Sequence, residues 1–216
     1  MWTYWRDDFA EYGSWTGDDT PSSGMHFHDE QQLTFVMTGC RLFQLHGERV
    51  EVRAGSCLYL PAGYPHASLP EIPSGTRCLN LYINNLSLGE RPEVLTFLPD
   101  AQVEATTFGI QFSTMAHEVG QGEKSVAQQA TEAGMSREAF TRRFARLFGM
   151  PPHAHNIVER LNDARRQLRS GASPADVAAA CGFYDQTHMT RHFFRVFGAT
   201  PGAYRKSVGR SQTYER

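Results

Sequence analysis

A chain of 216 residues with 40% hydrophobic and 20% charged side chains has the composition of a folded globular protein and the length of two modest domains. No stretch approaches the roughly twenty apolar residues that cross a bilayer, and Met1 to Arg53 holds no uninterrupted apolar core of a secretory signal, so a cytoplasmic, nucleoid-associated location is expected. The formal net charge of −2 hides a division: residues 1–112 carry six basic and fourteen acidic side chains, and residues 113–216 carry fifteen and nine. A basic half beside an acidic one is the electrostatic footprint of a domain that contacts phosphate joined to one that does not.

Trp2, Tyr4, Trp5, Phe9, Tyr12 and Trp15 crowd the first fifteen residues. Two readings fit: a lid over a barrel mouth that helps enclose an effector, or an ordinary first strand plugging the barrel. Leu33 to Met37, Arg41 to Leu45 and Arg49 to Arg53 are short β-prone stretches punctuated by Gly39, His46-Gly47 and Gly55. Leu58 to Leu60 and Cys78 to Ile83 continue the pattern, which predicts an all-β barrel or jelly roll over residues 1–83.

Gly55-x5-Pro61-x-Gly63-x2-His66, preceded by His26-x-His28-x3-Gln32-x6-Gly39, resembles the two motifs of the cupins. The resemblance implies a cupin-like sensor barrel with His26, His28, Gln32 and His66 at the ligand positions. His26 and His28 are alternate residues of a strand and share a face. Three imidazoles suit zinc, iron, copper or nickel, and a glutamine oxygen is a weak fourth ligand. Metal-binding cupins carry an acidic residue at the place of Gln32, and its loss removes a charge that helps neutralise a divalent cation. Two roles stay open. One is an effector pocket lined by His26, His28, Gln32 and His66 with no cofactor required; the other is a divalent metal on His26, His28 and His66. A cupin-type metalloenzyme fused to a DNA reader is a third reading, against which the missing carboxylate counts. No catalytic residue is expected.

Residues 84–111 include Pro92 and Pro99 and no sustained heptad, and read as a linker with at most one short helix. The next domain is expected over 112–208, with its first helix starting near Phe112 and a tail at 209–216. With so short a linker, a homodimer would use the barrel or the aromatic N-terminal segment. Cys40, Cys57, Cys78 and Cys181 form no Cys-x-x-Cys pair and read as apolar filler.

The C-terminal half contains a degenerate internal repeat. Gly134-Met135-Ser136 through Arg142, Phe144, Arg146, Phe148, Gly149 and Pro152 recurs as Gly182-Phe183-Tyr184-Asp185 through Arg191, Phe193, Arg195, Phe197, Gly198 and Pro201. Ser125 and Ser173 sit where N-caps belong, each with a polar partner three residues on, and Pro174 suits a first helical position. Gly134 and Gly182 suit tight helix-ending turns, and Ser136 and Asp185 then cap a second helix. Phe140, Phe144, Leu147 and Phe148 fall on one face of that helix in the first copy, and Met189, Phe193, Val196 and Phe197 in the second. Each copy thus reads as a helix-turn-helix. Pro152 to Arg169 reads as a connecting helix with Ile157, Leu161, Ala164 and Leu168 on its buried stripe. At roughly 1.5 Å per residue it spans about 27 Å, close to the ~34 Å between successive major grooves on one DNA face.

Residues 113–208 resemble the DNA-binding domain of the AraC/XylS regulators. The carriers are Gly134-Met135-Ser136, Arg142-Arg143-Phe144, Phe148-Gly149, Arg160-Leu161-x-x-Ala164, Ala178-x-x-Cys181-Gly182-Phe183, and Phe197-Gly198-x-Thr200-Pro201-x-x-Tyr204-Arg205. The resemblance implies seven helices and two recognition helices entering adjacent major grooves of double-stranded promoter DNA. It places base contacts on Glu138, Thr141, Arg142, Gln186, Thr187 and Arg191, and the helix starts add Ser136, Arg137 and His188. It further implies a small-molecule effector in the barrel, RNA polymerase as a partner of an activator, and no membrane partner. Fold class on this reading is two-domain: an all-β cupin-like barrel, then an all-α domain with two helix-turn-helix units joined by a long helix.

Overall fold

The computed structural model describes residues 1–17, 21–70, 75–86, 88–96, 105–107 and 125–209. Its first part is built from β1 (Trp2–Arg6), β2 (Glu11–Thr16), β3 (Ser23–His26), β4 (Gln31–Thr38), β5 (Cys40–Leu45), β6 (Glu48–Arg53), β7 (Ser56–Leu60), β8 (His66–Leu69), β9 (Arg77–Ile83), β10 (Glu93–Thr96) and β11 (Ala105–Thr107). A seven-stranded sheet runs β1-β2-β9-β4-β7-β10-β11 and a four-stranded sheet runs β3-β8-β5-β6. Among the described residues the strand pairings are antiparallel. Alternation aims Phe43 and Leu45 of β5 and Val50 and Val52 of β6 inward. They meet Val36, Leu58, Leu60 and Tyr64 in the barrel core. His46 and Gly47, both at positive φ, make the two-residue turn that pairs Leu45 with Glu48.

Here the expected boundaries move. Residues 84–111, read as linker, supply β10 and β11, and β10 pairs with β7 from Glu93↔Tyr59 to Thr96↔Ser56. The strand β7 is buried along Cys57 to Leu60, so its ladder needs a neighbour on both sides. Pro92, which counted against structure there, lies just outside the strand, where a missing N–H breaks no ladder bond. Of the two readings of the aromatic N-terminus, the strand is what the residues form, and Trp2 and Tyr4 of that strand also line the barrel cavity. The segment forms the β1–β2 hairpin, with Trp2 opposite Trp15 and Trp5 stacked on Tyr12, on the edge of the larger sheet.

The second part holds α1 (Val126–Glu132), α2 (Arg137–Phe148), α3 (Pro152–Arg169), α4 (Pro174–Ala180), α5 (Gln186–Phe197) and α6 (Pro201–Val208). The helix start expected near Phe112 lies outside the described residues. Local chemistry sets the other boundaries. Ser125 makes a capping box with Gln128, and Ser136, Ser173, Asp185 and Thr200 each accept from a backbone N–H in the first turn of their helices. Gly149 and Gly198 end α2 and α5 in the left-handed conformation. On α2 the apolar face is narrower than expected: Phe144 and Phe148 are buried and Phe140 half-buried, but Leu147 is exposed.

The helix α3 has two buried stripes. Leu161, Ala164 and Leu168 face α4, α5 and α6, as its apolar spacing predicts. A second stripe of His155, Val158, Asn162 and Arg165 is also buried. It faces the barrel: Val158 packs with Phe27, and Asn162 Nδ2 donates to the Phe27 carbonyl at 3.1 Å. Tyr4 and Tyr82 of the barrel belong to the same buried cluster as Leu161, Phe193, Phe197 and Tyr204. The Tyr4 hydroxyl donates to the Phe197 carbonyl at 2.6 Å.

Candidate functional site

The two helix-turn-helix units present the expected polar faces. Arg137, Glu138 and Arg142 on α2, and Gln186, Thr187 and Arg191 on α5, are exposed. Thr141 is half-buried and its hydroxyl donates to the Arg137 carbonyl at 2.8 Å. Ser136 is the exposed α2 cap and accepts from the Ala139 N–H at 3.2 Å, which satisfies one first-turn donor. His188 is half-buried against Phe183, and its Nε2 lies 3.1 Å from Nε2 of His192. Between the units, Arg160 Nη1 donates to the Gly182 carbonyl at 3.0 Å and ties α3 to the second turn.

The barrel histidines converge. Strand pairing puts His26 directly opposite His66, and their ring centroids are 4.3 Å apart. His28 lies 4.8 Å from His26 and 5.3 Å from His66, centroid to centroid. One ring nitrogen from each lies within 4.8 Å of the others, and all three residues are buried. The tautomers of two follow from their partners. His26 Nδ1 contacts the Gly24 carbonyl at 2.7 Å and His66 Nδ1 the Tyr64 carbonyl at 2.9 Å. A carbonyl only accepts, so each Nδ1 carries the proton and each Nε2 keeps a lone pair.

Gln32 is oriented the same way. Its Nε2 donates to Thr34 Oγ1, which donates to Asn80 Oδ1, whose amide donates to the Tyr82 hydroxyl. That directed chain leaves Gln32 Oε1 buried without a partner among the described residues. Burial holds the imidazoles of His26, His28 and His66 below the ordinary histidine range, His26 to about 4. They are neutral near pH 7. His26 and His66, with Gln32, Arg41, Ser68 and Tyr82, line a cavity of about 20 Å³, enough for a water-sized occupant. Converging lone pairs fit a divalent cation; Arg41 on the same wall opposes a bare one.

Sequence reasoning missed what joins this site to the helices. Arg165 is buried on α3, with Nη2 2.5 Å and Nε 3.1 Å from Glu11 Oε1 and Nη1 3.2 Å from Glu30 Oε2. Arg169 reaches the other oxygens, with Nε 2.6 Å from Glu11 Oε2 and Nη2 2.5 Å from Glu30 Oε1. The Tyr204 hydroxyl donates to Glu11 Oε2 at 2.6 Å, and the Arg165 guanidinium lies 4.3 Å over the Tyr82 ring. Burial works against ionisation of Glu30, but Arg165 and Arg169 outweigh it and hold the carboxyl below its ordinary range. Arg165 Nη1 also lies 3.4 Å from His28 Nδ1. The histidine cluster and the helix joining the two units are thus one side chain apart.

Comparison with known proteins follows the same division. Residues 17–69 match the cupin domain family and residues 129–207 match a helix-turn-helix domain family. The helical segment is 33% identical over 88 residues to the HTH-type transcriptional regulator MtrA of Neisseria gonorrhoeae, covering 40% of this chain and 29% of that protein. It is 35% identical over 83 residues to a putative AraC-like transcription regulator of Streptomyces antibioticus, covering 38% of this chain and 27% of that protein. Residues 129–207 are thus a helix-turn-helix domain similar to that of AraC-like transcription regulators. The AraC-type match spans less than a third of either relative's own length. Over almost the whole chain the fold is similar to ToxT of Vibrio cholerae in its unsaturated fatty acid-bound crystal structure. The TM-score is 0.59 at 8% identity, covering 95% of this chain and 98% of that one. A second ToxT structure superimposes with a TM-score of 0.55 at 8% identity, covering 96% and 97%. Both parts of the chain therefore share a fold with that protein.

Proposed function

We propose that this chain is a sequence-specific DNA-binding transcription regulator whose cupin barrel is the control domain. One observation carries the reading: two capped helices, α2 and α5, present exposed polar and basic faces and are joined by the single 18-residue helix α3. Arginines and helix N-termini fix register on phosphates, while side chains at the helix starts read base edges. On this reading the partners are double-stranded promoter DNA and, for an activator, RNA polymerase. Selection of sites from a random DNA pool tests it. A bipartite motif with halves about ten base pairs apart is expected; no enriched motif under any ligand condition overturns it. Arg142→Ala and Arg191→Ala should each weaken specific binding by about 1–3 kcal/mol. Equal weakening on random DNA would assign both to phosphates.

The small cavity and its unpartnered acceptors favour a second, finer reading in which the controlling ligand is a divalent metal on His26, His28 and His66. A bound ion would supply charge and fixed coordination there, and Arg41 nearby calls for an anionic co-ligand. The protein's own part is a proton shift. Arg165 only donates, so His28 Nδ1 accepts from it and the His28 proton sits on Nε2. Offering the Nε2 lone pair moves that proton to Nδ1, where it confronts the guanidinium. Ligation would thereby loosen the hold of α3 on the barrel. The check is metal content and thermal stability with zinc and nickel. A rise in Tm that His26→Ala and His66→Ala each reduce, with one equivalent of bound metal lost, is expected; the same Tm rise and metal content in wild type and both variants sinks the barrel-metal reading while leaving DNA binding standing.

A further inference from the structure

His188 and His192 lie four residues apart on α5, which stacks their side chains on one helical face. Their Nε2 atoms are 3.1 Å apart and their ring centroids 4.7 Å apart at 85°. Two nitrogens bound to one ion at about 2.0–2.1 Å each would be roughly 2.9 Å apart at a right angle and about 3.4 Å at the tetrahedral angle. The observed separation falls between those limits. The same i, i+4 spacing lets two helix histidines share a zinc ion in metalloproteases. We propose that His188 and His192 chelate one divalent transition-metal ion on the flank of the second recognition helix, a site separate from the barrel histidines.

The surroundings agree with an accessible pair and keep the His192 ring available as a ligand. Burial, then the adjacent His188, keeps His192 below the ordinary histidine range, with Arg195, His153 and Arg191 adding to the effect. Both rings are only half-buried, so water can fill the remaining coordination positions. Imidazole ligands select zinc, copper or nickel over magnesium or calcium. The nearby Arg191 and Arg195 oppose the incoming charge, which sets this site's affinity below that of a three-histidine cluster. Where α5 reads DNA as proposed above, the ion adds positive charge beside Arg191; that consequence rests on the DNA-binding reading, the metal site does not.

The test is calorimetric titration of zinc into metal-free full-length protein without DNA, alongside His188→Gln and His192→Gln. Both substitutions lie at a half-exposed helix flank, and folding is checked by circular dichroism. Each variant should lose the same equivalent of zinc, with affinity for it falling at least tenfold, while any zinc held by the barrel is retained. In the wild type, Nε2 of both residues should shift together in nitrogen-15 spectra as that equivalent binds. Superimposable isotherms for all three proteins would show a histidine–histidine hydrogen bond and nothing more. Loss in only one variant would also overturn the proposal, because the ion would then use a different partner.

Discussion

Arg165 illustrates how much a single side chain carries. Its guanidinium is 1% exposed and meets both Glu11 and Glu30, so removing it strands two carboxylates away from water. Arg165→Met is expected to destabilise the protein by about 3–5 kcal/mol, the cost of breaking a buried pair from one side. Denaturant unfolding measures it; adding Glu11→Gln and Glu30→Gln should recover part of the loss. Titration belongs at this scale too. Burial lowers the folded-state value of His26 to about 4, and His28 and His66 are lowered as well. The unfolded chain therefore binds more protons than the folded one below about pH 6.5. Stability is intact above that pH and is lost as pH falls from there towards 4. Glu30, held low, adds its own loss only below the unfolded carboxylate value. In metal-free protein, Tm should start to fall near pH 6.5, and His66→Gln should flatten the slope. A Tm constant down to pH 5 would contradict neutral burial of the cluster.

At the scale of elements, α2 and α5 are repeats whose ends differ. Both finish in a left-handed glycine, but a methyl on Gly198 would overlap the Trp2 indole, whereas one on Gly149 would meet only Pro65 at 3.6 Å. Alanine at either position pays for an unfavourable φ, about 1 kcal/mol. Gly198→Ala should cost clearly more than Gly149→Ala in thermal unfolding, and Trp2→Ala should narrow the gap. The caps were legible in the sequence because they depend on near neighbours: Ser125, Ser136, Ser173 and Asp185 act on N–H groups three residues away. Asp185→Ala should lower stability by about 1 kcal/mol. The second stripe of α3 was illegible for the opposite reason. His155, Asn162 and Arg165 are polar, and polar residues signal solvent until a partner from elsewhere in the chain is seen beside them. The strand β10 escaped notice because four residues bounded by Pro92 carry too little alternation to stand out.

For the whole molecule, the barrel and the helical domain share a buried cluster and an ion-pair network, so they should unfold together. Calorimetry should give one transition for the wild type and two for Arg165→Met, the separated domains then melting independently. A single transition in both would mean that the apolar cluster of Tyr4, Tyr82 and Phe197 suffices to couple them. The sequence by itself determined the two-domain order, the tandem helix-turn-helix units and the barrel histidines. Each is written in local periodicity, capping or short spacing, which act within a few residues along the chain. Only the tertiary structure decided that His26 faces His66, that β10 and β11 complete the sheet, and that Arg165 of α3 meets Glu11 and Glu30 of the barrel. Those contacts join residues up to 154 positions apart, and their partners are chosen by burial and charge compensation in the folded interior, which no local pattern encodes.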